Sequence, residues 1–476
     1  MTKNSGIILT LLICIFALAA VCYLTWPVAI GGNNPRFIKL LKKIDNTPLW
    51  HKFINHYAWQ VTFLVGNEIG PYKCLTQQQI ETIQATVASL LFIGLIALIG
   101  SVTALIMFLL VDSAPPDTAV PKRTFTTVLF MIIIVGILLR LILAVSFYGN
   151  KDMEFYEQDV AIGLKNGNVY AETIYYNYSP VWFLILTSLK KIQLNFPTLP
   201  FHFVVRGFLT AVDLLALWVL LLIAKYEKIS LIKTATLFFL NPVSFIITGF
   251  HGQFENLAIL MILVGTLAYL KLADKPAMGI VPLWFFSTAG MIIKHNVFYE
   301  LITALNFAIK RYWIKISLFL ISVTIFLCTF IPYWNAGKEG IINNVFLYSS
   351  WAGDYGINTL IHCPHIKYLF IVALILFPFF LKGKDLLRQC LLGFLFFLTF
   401  TTGIASQYFL LPVAFGSLRP SKGFMIYSCL ASAFILGSPN HISIPGFHLL
   451  KWNLVWIGAT YWFIEQIYLD RQILQA

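Results

Sequence analysis

Long apolar runs alternate with short polar stretches along most of this chain. A run of about 20 apolar residues lets an α-helix cross the hydrocarbon core of a membrane. The pattern therefore predicts an all-α, polytopic transmembrane bundle of about 12–14 spans. The segment 279–309 is predicted to be a pair of helices broken around Lys294-His295. The predicted spans are 5–26, 87–112, 124–147, 203–224, 231–248, 256–271, 279–309, 316–333, 366–381, 387–406, 423–438 and 451–469.

Two segments outside these spans have an amphipathic character. Apolar residues at helical spacing between Phe37 and Ile44 predict a helix at the membrane interface, within a moderately polar segment 27–86. Val181 to Ile192 is apolar but too short to span comfortably, which predicts a second interfacial helix. Pro180 suits the first turn of that helix, and Ser179 suits its N-cap.

No repeat or linker divides the chain, so we distinguish three parts by position. They are N-terminal spans with an amphipathic segment (1–123), a central membrane module with a large loop at 148–202 (124–420), and C-terminal spans (421–476). The first apolar run is interpreted as an uncleaved span rather than a signal peptide, because no small-x-small cleavage site follows it.

Composition agrees with a membrane protein. The chain is 59% hydrophobic and only 11% charged, whereas soluble domains have about 25% charged residues. The formal charge of +13 does not indicate a nucleic-acid partner, because the basic residues lie at span ends rather than in one patch. The positive-inside rule then predicts cytoplasmic termini, with the loop at 148–202 on the extracytoplasmic side. We expect the membrane to be the plasma (inner) membrane.

Acidic residues are concentrated in that loop, although the chain as a whole is poor in charge. The five carboxylates are Asp152, Glu154, Glu157, Asp159 and Glu172. Carboxylates are expensive where they face lipid, so this concentration predicts a site at the membrane surface. We expect Glu157 and Asp159 to be helix-surface charges. Asp152 and Glu154 form an Asp-x-Glu pair that could bind a divalent cation, but we expect no metal or other cofactor.

The same predicted face of the membrane carries further polar groups. His251, Gln253 and Glu255 follow one another at the end of a span, and Gln407-Tyr408 follows another. Lys294 interrupts an apolar stretch, where a lysine either extends to the interface or binds an anion; the adjacent His295 favours an anion. His251 is equally well explained as an ordinary interfacial histidine.

These motifs, taken in order, resemble those of GT-C-type integral-membrane glycosyltransferases. Asp152-x-x-x-Tyr156, the element Gly167 to Tyr170, and Tyr176-Asn177-Tyr178-Ser179-Pro180 are similar to the first outer loop of glycosyltransferase family 87, the mannosyltransferases. Later elements agree in order: Arg206 with Asp213-Leu214, Asn241-Pro242, Gly249 to Glu255, Lys294-His295 and Gln407-Tyr408. Glu255 departs from the pattern, which has aspartate there.

The resemblance implies an inverting transfer of one sugar, with mannose as our guess, from a polyprenyl-phosphate carrier to an acceptor hydroxyl. Asp152 would be the general base. The acceptor would be a lipid-linked or envelope glycan. The predicted substrate-binding residues are Glu154, Tyr156, Tyr178, His251, Gln253, Glu255, Lys294, His295, Gln407 and Tyr408.

Two other classes stay open. A secondary transporter or flippase would show repeats, broken helices and ionisable residues within the membrane, whereas the ionisable residues here are expected at one face. A non-catalytic subunit of an envelope-assembly complex is the other alternative. Arg206 and Asp213, seven residues apart on one predicted helix face, are interpreted as a structural polar pair.

Overall fold

The computed structural model describes residues 121–149, 152–348, 355–357, 361, 365–381, 383–436 and 448–475. Regular structure in these ranges is helical, without a β-strand, which confirms the predicted all-α class for this part of the chain. The predicted spans 5–26 and 87–112 and the interfacial segment 27–86 lie outside the described residues.

Seventeen α-helices are described here in chain order. Their bounds are α1 Lys122–Ser146, α2 Asp152–Leu164, α3 Val169–Glu172, α4 Pro180–Leu194, α5 Phe201–Tyr226, α6 Leu231–Phe239, α7 Pro242–Ile246, α8 Glu255–Lys271, α9 Pro276–Ile293, α10 Phe298–Ala308, α11 Tyr312–Cys328, α12 Trp334–Gly340, α13 Ile366–Leu376, α14 Leu386–Phe400, α15 Val413–Leu418, α16 Lys422–Leu436 and α17 His448–Gln475. Short 3₁₀ turns cover His295–Val297, Ile331–Tyr333, Phe377–Phe380 and Ser406–Leu410, and π-helical turns cover Ile247–His251 and Ile341–Phe346.

Four described stretches are long and apolar enough to cross a membrane: Arg123–Val145, Phe201–Tyr226, Pro276–Ile293 and Tyr312–Phe346. A bent pair formed by α6 and the segment Pro242–His251 would be a fifth. The chain is therefore compatible with a membrane protein. The larger predicted number of spans and their sidedness stay predictions.

The predicted span 231–248 is wrong as one continuous helix, because the chain bends by 44° between α6 and α7. Asn241 lies at the bend, where its side-chain oxygen caps the amide of Val243. Pro242 has no amide hydrogen to continue α6 but suits the first turn of α7. The π-helical turn ends at Gly252, whose φ of +68° favours glycine. The predicted break at Lys294-His295, by contrast, is confirmed between α9 and α10.

A fully buried guanidinium joins α1 to the bent pair. Arg140 Nε lies 2.7 Å from Asp213 Oδ2, and both side chains are completely buried. The other guanidinium nitrogens donate to the carbonyls of Gly136 and Phe239 and to Ser244 Oγ. Phe239 is the last residue of α6, so Arg140 binds a carbonyl that the bend leaves without a helical partner.

Asp213 is also bound from its other side. The amide of Asn256, in the first turn of α8, donates to Asp213 Oδ1 and to Thr248 Oγ1. The predicted pair of Arg206 with Asp213 is wrong: Arg206 instead donates to the main-chain carbonyls of Phe147 and Tyr148. We call Arg140, Asp213, Asn256, Thr248 and Ser244 the deep network.

The helices α2, α3, α4 and α12 form what we call the cap layer, at the bundle end where α1 ends and α5 and α8 begin. Helix α2 packs on α4, and α3 packs on α12. A side chain at Gly340 would come within 1.9 Å of the Tyr170 carbonyl oxygen, so this crossing requires glycine. Helix α4 is two-faced: Trp182 and Leu186 are buried, whereas Leu184 and Ile192 are about half exposed.

Buried tyrosines fix the loop between α3 and α4. Tyr170 donates its hydroxyl to the Tyr178 carbonyl at 2.8 Å, and Tyr176 donates to the Ser179 carbonyl at 2.7 Å. The Tyr176 hydroxyl also accepts the amide of Phe183. Pro180 lies in the first turn of α4, as predicted, but Ser179 makes no side-chain cap bond, because the tyrosine hydroxyl serves that turn instead.

Candidate functional site

The predicted base lies in a hydrogen-bonded series at the start of α2. Gln253 Nε2 donates to Asp152 Oδ2 at 2.6 Å, and the Tyr156 hydroxyl donates to Gln253 Oε1 at 3.3 Å. Tyr156 fixes the orientation of the amide, and the amide fixes one carboxylate oxygen. Burial, followed by the charges of Asp152 and Glu255, raises the pKa of Tyr156 well above its usual value, so its phenol stays a donor at neutral pH.

A buried ion pair lies beside this series. Lys294 Nζ is 2.7 Å from Glu255 Oε1, and the two side chains are 5% and 0% exposed. Glu255 is the first residue of α8, and Lys294 directly follows the last residue of α9. The positive end of one helix dipole and the negative end of the other therefore favour these charges.

Aromatic rings connect the two groups. Phe254 lies beneath the ammonium of Lys294, 4.1 Å from Nζ, and the ring of Tyr178 lies 4.6 Å from the same atom. Trp182 stacks on Phe254 at 4.1 Å and meets Tyr156 edge-on at 5.5 Å. A series of aromatic contacts therefore connects Tyr156, which orients Gln253 beside the base, to the ammonium of Lys294.

Arg206 holds together the two segments that lead into this cluster. Its guanidinium binds the carbonyls of Phe147 and Tyr148, just before α2, while its stem lies against Gly252, just before Gln253. Gly149 has a φ of +106°, and a side chain there would meet both Arg206 and the Phe250 carbonyl. Arg206 thereby determines the approach of Asp152 to Gln253.

Other predicted site residues lie around the cluster. Tyr408 packs edge-on against Phe397 at 5.6 Å, and its phenol is near enough to Glu255 for that charge to help burial raise the pKa of Tyr408. His295, half-buried in its 3₁₀ turn, faces Phe326 of α11. Gln407, in the turn that carries Tyr408, is half-buried.

Two predicted residues lie apart from the central contacts. His251 is buried in the π-helical turn, with its ring edge-on to Phe250 at 5.4 Å. Glu154 lies toward Tyr148, where burial and the charges of Glu157 and Glu154 raise the pKa of that phenol.

Asp159 is 3% exposed, so the expectation of a helix-surface charge is wrong there. Burial raises the pKa of Asp159 to about 7.

The described residues contain no group of three or more His, Cys, Asp or Glu side chains placed to hold a metal ion. A small pocket lies elsewhere, between Asn241-Pro242 and α16. It is lined almost wholly by apolar atoms and is separate from the ionisable cluster.

Sequence reasoning missed Trp182 and Phe254, which connect the cluster, and Arg140, which supports it. Arg140 had a readable signal, because it is the one charged residue within the apolar run 124–147, and an intramembrane arginine requires a partner. Trp182 and Phe254 had none, since aromatic residues are frequent throughout this chain.

No protein-family model matches this sequence, and no curated protein or solved structure matches it significantly.

Proposed function

We propose that the chain is a GT-C-type glycosyltransferase that moves one sugar, with mannose the first candidate, from a polyprenyl-phosphate carrier to an acceptor hydroxyl. The acceptor would be a lipid-linked or envelope glycan at the extracytoplasmic face of the plasma membrane. The proposal rests on the order of the motifs and on one observation: aromatic contacts connect a positioned carboxylate to a buried ammonium.

The chemistry needs both groups. The acceptor oxygen forms a bond to the anomeric carbon of the sugar while its proton passes to Asp152. The bond between that carbon and the phosphate oxygen breaks, and its electron pair stays on the phosphate. Lys294 would stabilise the resulting negative charge. Tyr178 is only partly buried, and its ring is suited to the apolar face of a sugar.

The hydrogen bond from Gln253 suits Asp152 to the role of base. It fixes the orientation of the carboxylate through one of its two oxygens. A fixed carboxylate loses no orientational freedom when the acceptor arrives, which is how positioning contributes to rate.

The test is a transfer assay with purified full-length protein in nanodiscs, radiolabelled polyprenyl-phosphate mannose and a membrane lipid extract as acceptor. Wild type should produce a labelled product, and Asp152→Asn should fold but lose activity by a factor of about 10²–10⁴. Polyprenyl-phosphate glucose is the matched alternative donor. Undiminished turnover by Asp152→Asn would refute the assignment of the base.

A transporter or flippase is the second candidate, because two features of the described residues favour it. Arg140 and Asp213 lie within candidate spans, and the pair of α6 and α7 is bent. Discontinuous helices with buried ionisable residues are typical of transporters. The expectation that ionisable groups lie only at one face is therefore wrong for these two residues.

The two candidates predict different results in sealed proteoliposomes. A flippase would move fluorescent polyprenyl-phosphate sugar between leaflets with no acceptor present, and Asp152→Asn would retain that movement. A transferase would leave the donor where it is until acceptor is added. Movement without transfer would replace the first proposal by the second.

A further inference from the structure

We infer that Glu255 is an internal competitor of the donor phosphate: its carboxylate pairs with the Lys294 ammonium, and a phosphate ester binds that ammonium by displacing the carboxylate. This inference rests on the proposed function, because it concerns the same site. It makes Glu255 a determinant of donor affinity rather than a contact to the sugar.

The geometry of the pair supports displacement. Lys294 is the cation that faces the aromatic surface, and its ammonium already lies 2.7 Å from a carboxylate oxygen. A phosphate oxygen binding the same ammonium would lie next to that carboxylate. Two anions sharing one buried ammonium repel each other strongly where water is scarce. Either the carboxylate moves away or the phosphate does not bind.

The carboxylate has little else to hold it. Among the described residues, neither oxygen of Glu255 has a hydrogen-bond partner beyond the ion pair with Lys294. The deep network shows the contrast, since Asp213 is bound on both of its oxygens. Displacing Glu255 therefore breaks one contact, which an arriving phosphate replaces.

The ammonium can also exchange one anionic partner for another. A lysine has three N–H donors, whereas Lys294 has one carboxylate neighbour and two aromatic faces, those of Phe254 and Tyr178. Those faces attract the cation and do not bind an anion. They hold the ammonium in place while its anionic partner changes.

Competition lowers the apparent affinity for phosphate by the fraction of molecules in which Lys294 is not paired with Glu255. If the pair with Glu255 holds Lys294 about nine-tenths of the time, removing the carboxylate charge tightens phosphate binding about tenfold. The effect requires Lys294 and the phosphate, and it does not require the sugar or any turnover.

The experiment measures equilibrium binding of radiolabelled polyprenyl phosphate, and of the uncharged polyprenol, to full-length protein in nanodiscs. Glu255→Gln keeps the shape and removes the charge, so it should bind polyprenyl phosphate about tenfold more tightly than wild type. Polyprenol binding should not change. Glu255→Asp retains the charge and should stay within about twofold of wild type. If the glutamine variant cannot be purified folded, Glu255→Ala should show the same tightening.

A double variant separates this mechanism from a general change of charge. In the Lys294→Gln background, Glu255→Gln should no longer tighten binding. Unchanged or weaker binding by Glu255→Gln, or tightening that persists without Lys294, would overturn the inference. If the binding changes as expected but wild type transfers no sugar, the transferase proposal fails while the competition stands.

Discussion

Two buried ion pairs lie next to each other in this molecule, and they differ in what surrounds them. The deep network binds Asp213 through Arg140 on one oxygen and Asn256 on the other. The pair of Lys294 with Glu255 has no comparable support among the described residues. The two arrangements meet in the first turn of α8, where Glu255 and Asn256 are consecutive residues.

The difference indicates different roles for the same chemistry. A buried charge pair stabilises a fold only when the remaining donors and acceptors are also satisfied. The pair of Arg140 with Asp213 meets that condition, and the deep network joins α1, α5, α7 and α8. The pair at Lys294 leaves hydrogen-bonding capacity unused at the end of the bundle that carries Asp152, as a binding site requires. We therefore propose a structural role for the first pair and a ligand-binding role for the second.

Breaking the deep network should have the largest effect. Arg140→Met would leave Asp213 buried without its cation, which costs about 3–5 kcal/mol. We expect little folded protein after detergent extraction, and a lowered melting temperature for what remains. Arg140→Met combined with Asp213→Leu should recover part of the loss. A single variant as stable as wild type would show that the network does not hold the helices together.

Gln253→Leu should separate activity from stability. It removes the donor that orients Asp152, and misplacing a reacting group costs about 100-fold in rate. Turnover should fall while the KM for the donor changes little, because Lys294 is untouched. Gln158→Leu, at an exposed position on α2, is the matched control and should behave as wild type. Equal turnover in the two variants would contradict the role of Gln253.

Gly340→Ala tests whether the cap layer supports the ammonium. The added carbon would collide with the Tyr170 carbonyl, displace α3, and weaken the bond from Tyr170 to Tyr178, whose ring lies over Lys294. We expect the KM for the donor to rise about threefold to tenfold, more than turnover falls. Gly207→Ala, where an added carbon meets nothing within 4 Å, is the control. An effect on turnover alone would locate the contact elsewhere.

The smallest effect should come from Asp159. Its pKa of about 7 in the folded protein lies above the ordinary value of 3.8, because burial disfavours the charged form. Folding therefore gains stability from the protonated form below about pH 4 and loses it as the pH rises toward 7. Wild type should lose a few degrees of melting temperature across that window, about 2–4 °C.

Asp159→Asn should flatten this dependence. Glu157→Gln, an exposed neighbour on α2, should retain it. A wild-type melting temperature that does not fall between pH 4 and 7 would contradict a buried, protonated Asp159.

The sequence predicted helices well where a single physical rule determined them. Spans 124–147 and 203–224 correspond to α1 and α5 because long apolar runs have few alternatives. The capping side chain of Asn241 and the missing amide hydrogen of Pro242 both indicate a bend. Hydropathy alone, however, predicted one continuous helix across these residues. Residue spacing predicted contacts less well. Helical spacing paired Arg206 with Asp213, whereas Asp213 binds Arg140, 73 residues away along the chain.

The site residues illustrate the same limit. The series of polar motifs predicted that Asp152, Gln253, Glu255 and Lys294 belong together, and each of them lies in the cluster. It could not predict that these residues bind one another, as Gln253 binds Asp152 and Glu255 binds Lys294. These contacts depend on how α2, α8 and α9 pack against one another. Local patterns in a single sequence do not predict that packing.

The link between Arg140 and Asp213 also has a consequence for the synthesis of the chain. The two residues are 73 positions apart. At a translation rate of about 5–20 residues per second, Asp213 is therefore synthesised on the order of 4–15 s after Arg140. Helix α1 must hold an unpaired guanidinium during that interval, at a cost of about 3 kcal/mol. The stretch Arg123–Val145 has a mean hydropathy of 3.1, the highest among the candidate spans in the described part of the chain, and this apolar character offsets the cost. Substitutions that make α1 less apolar should therefore fail at insertion, before any fold exists to be destabilised.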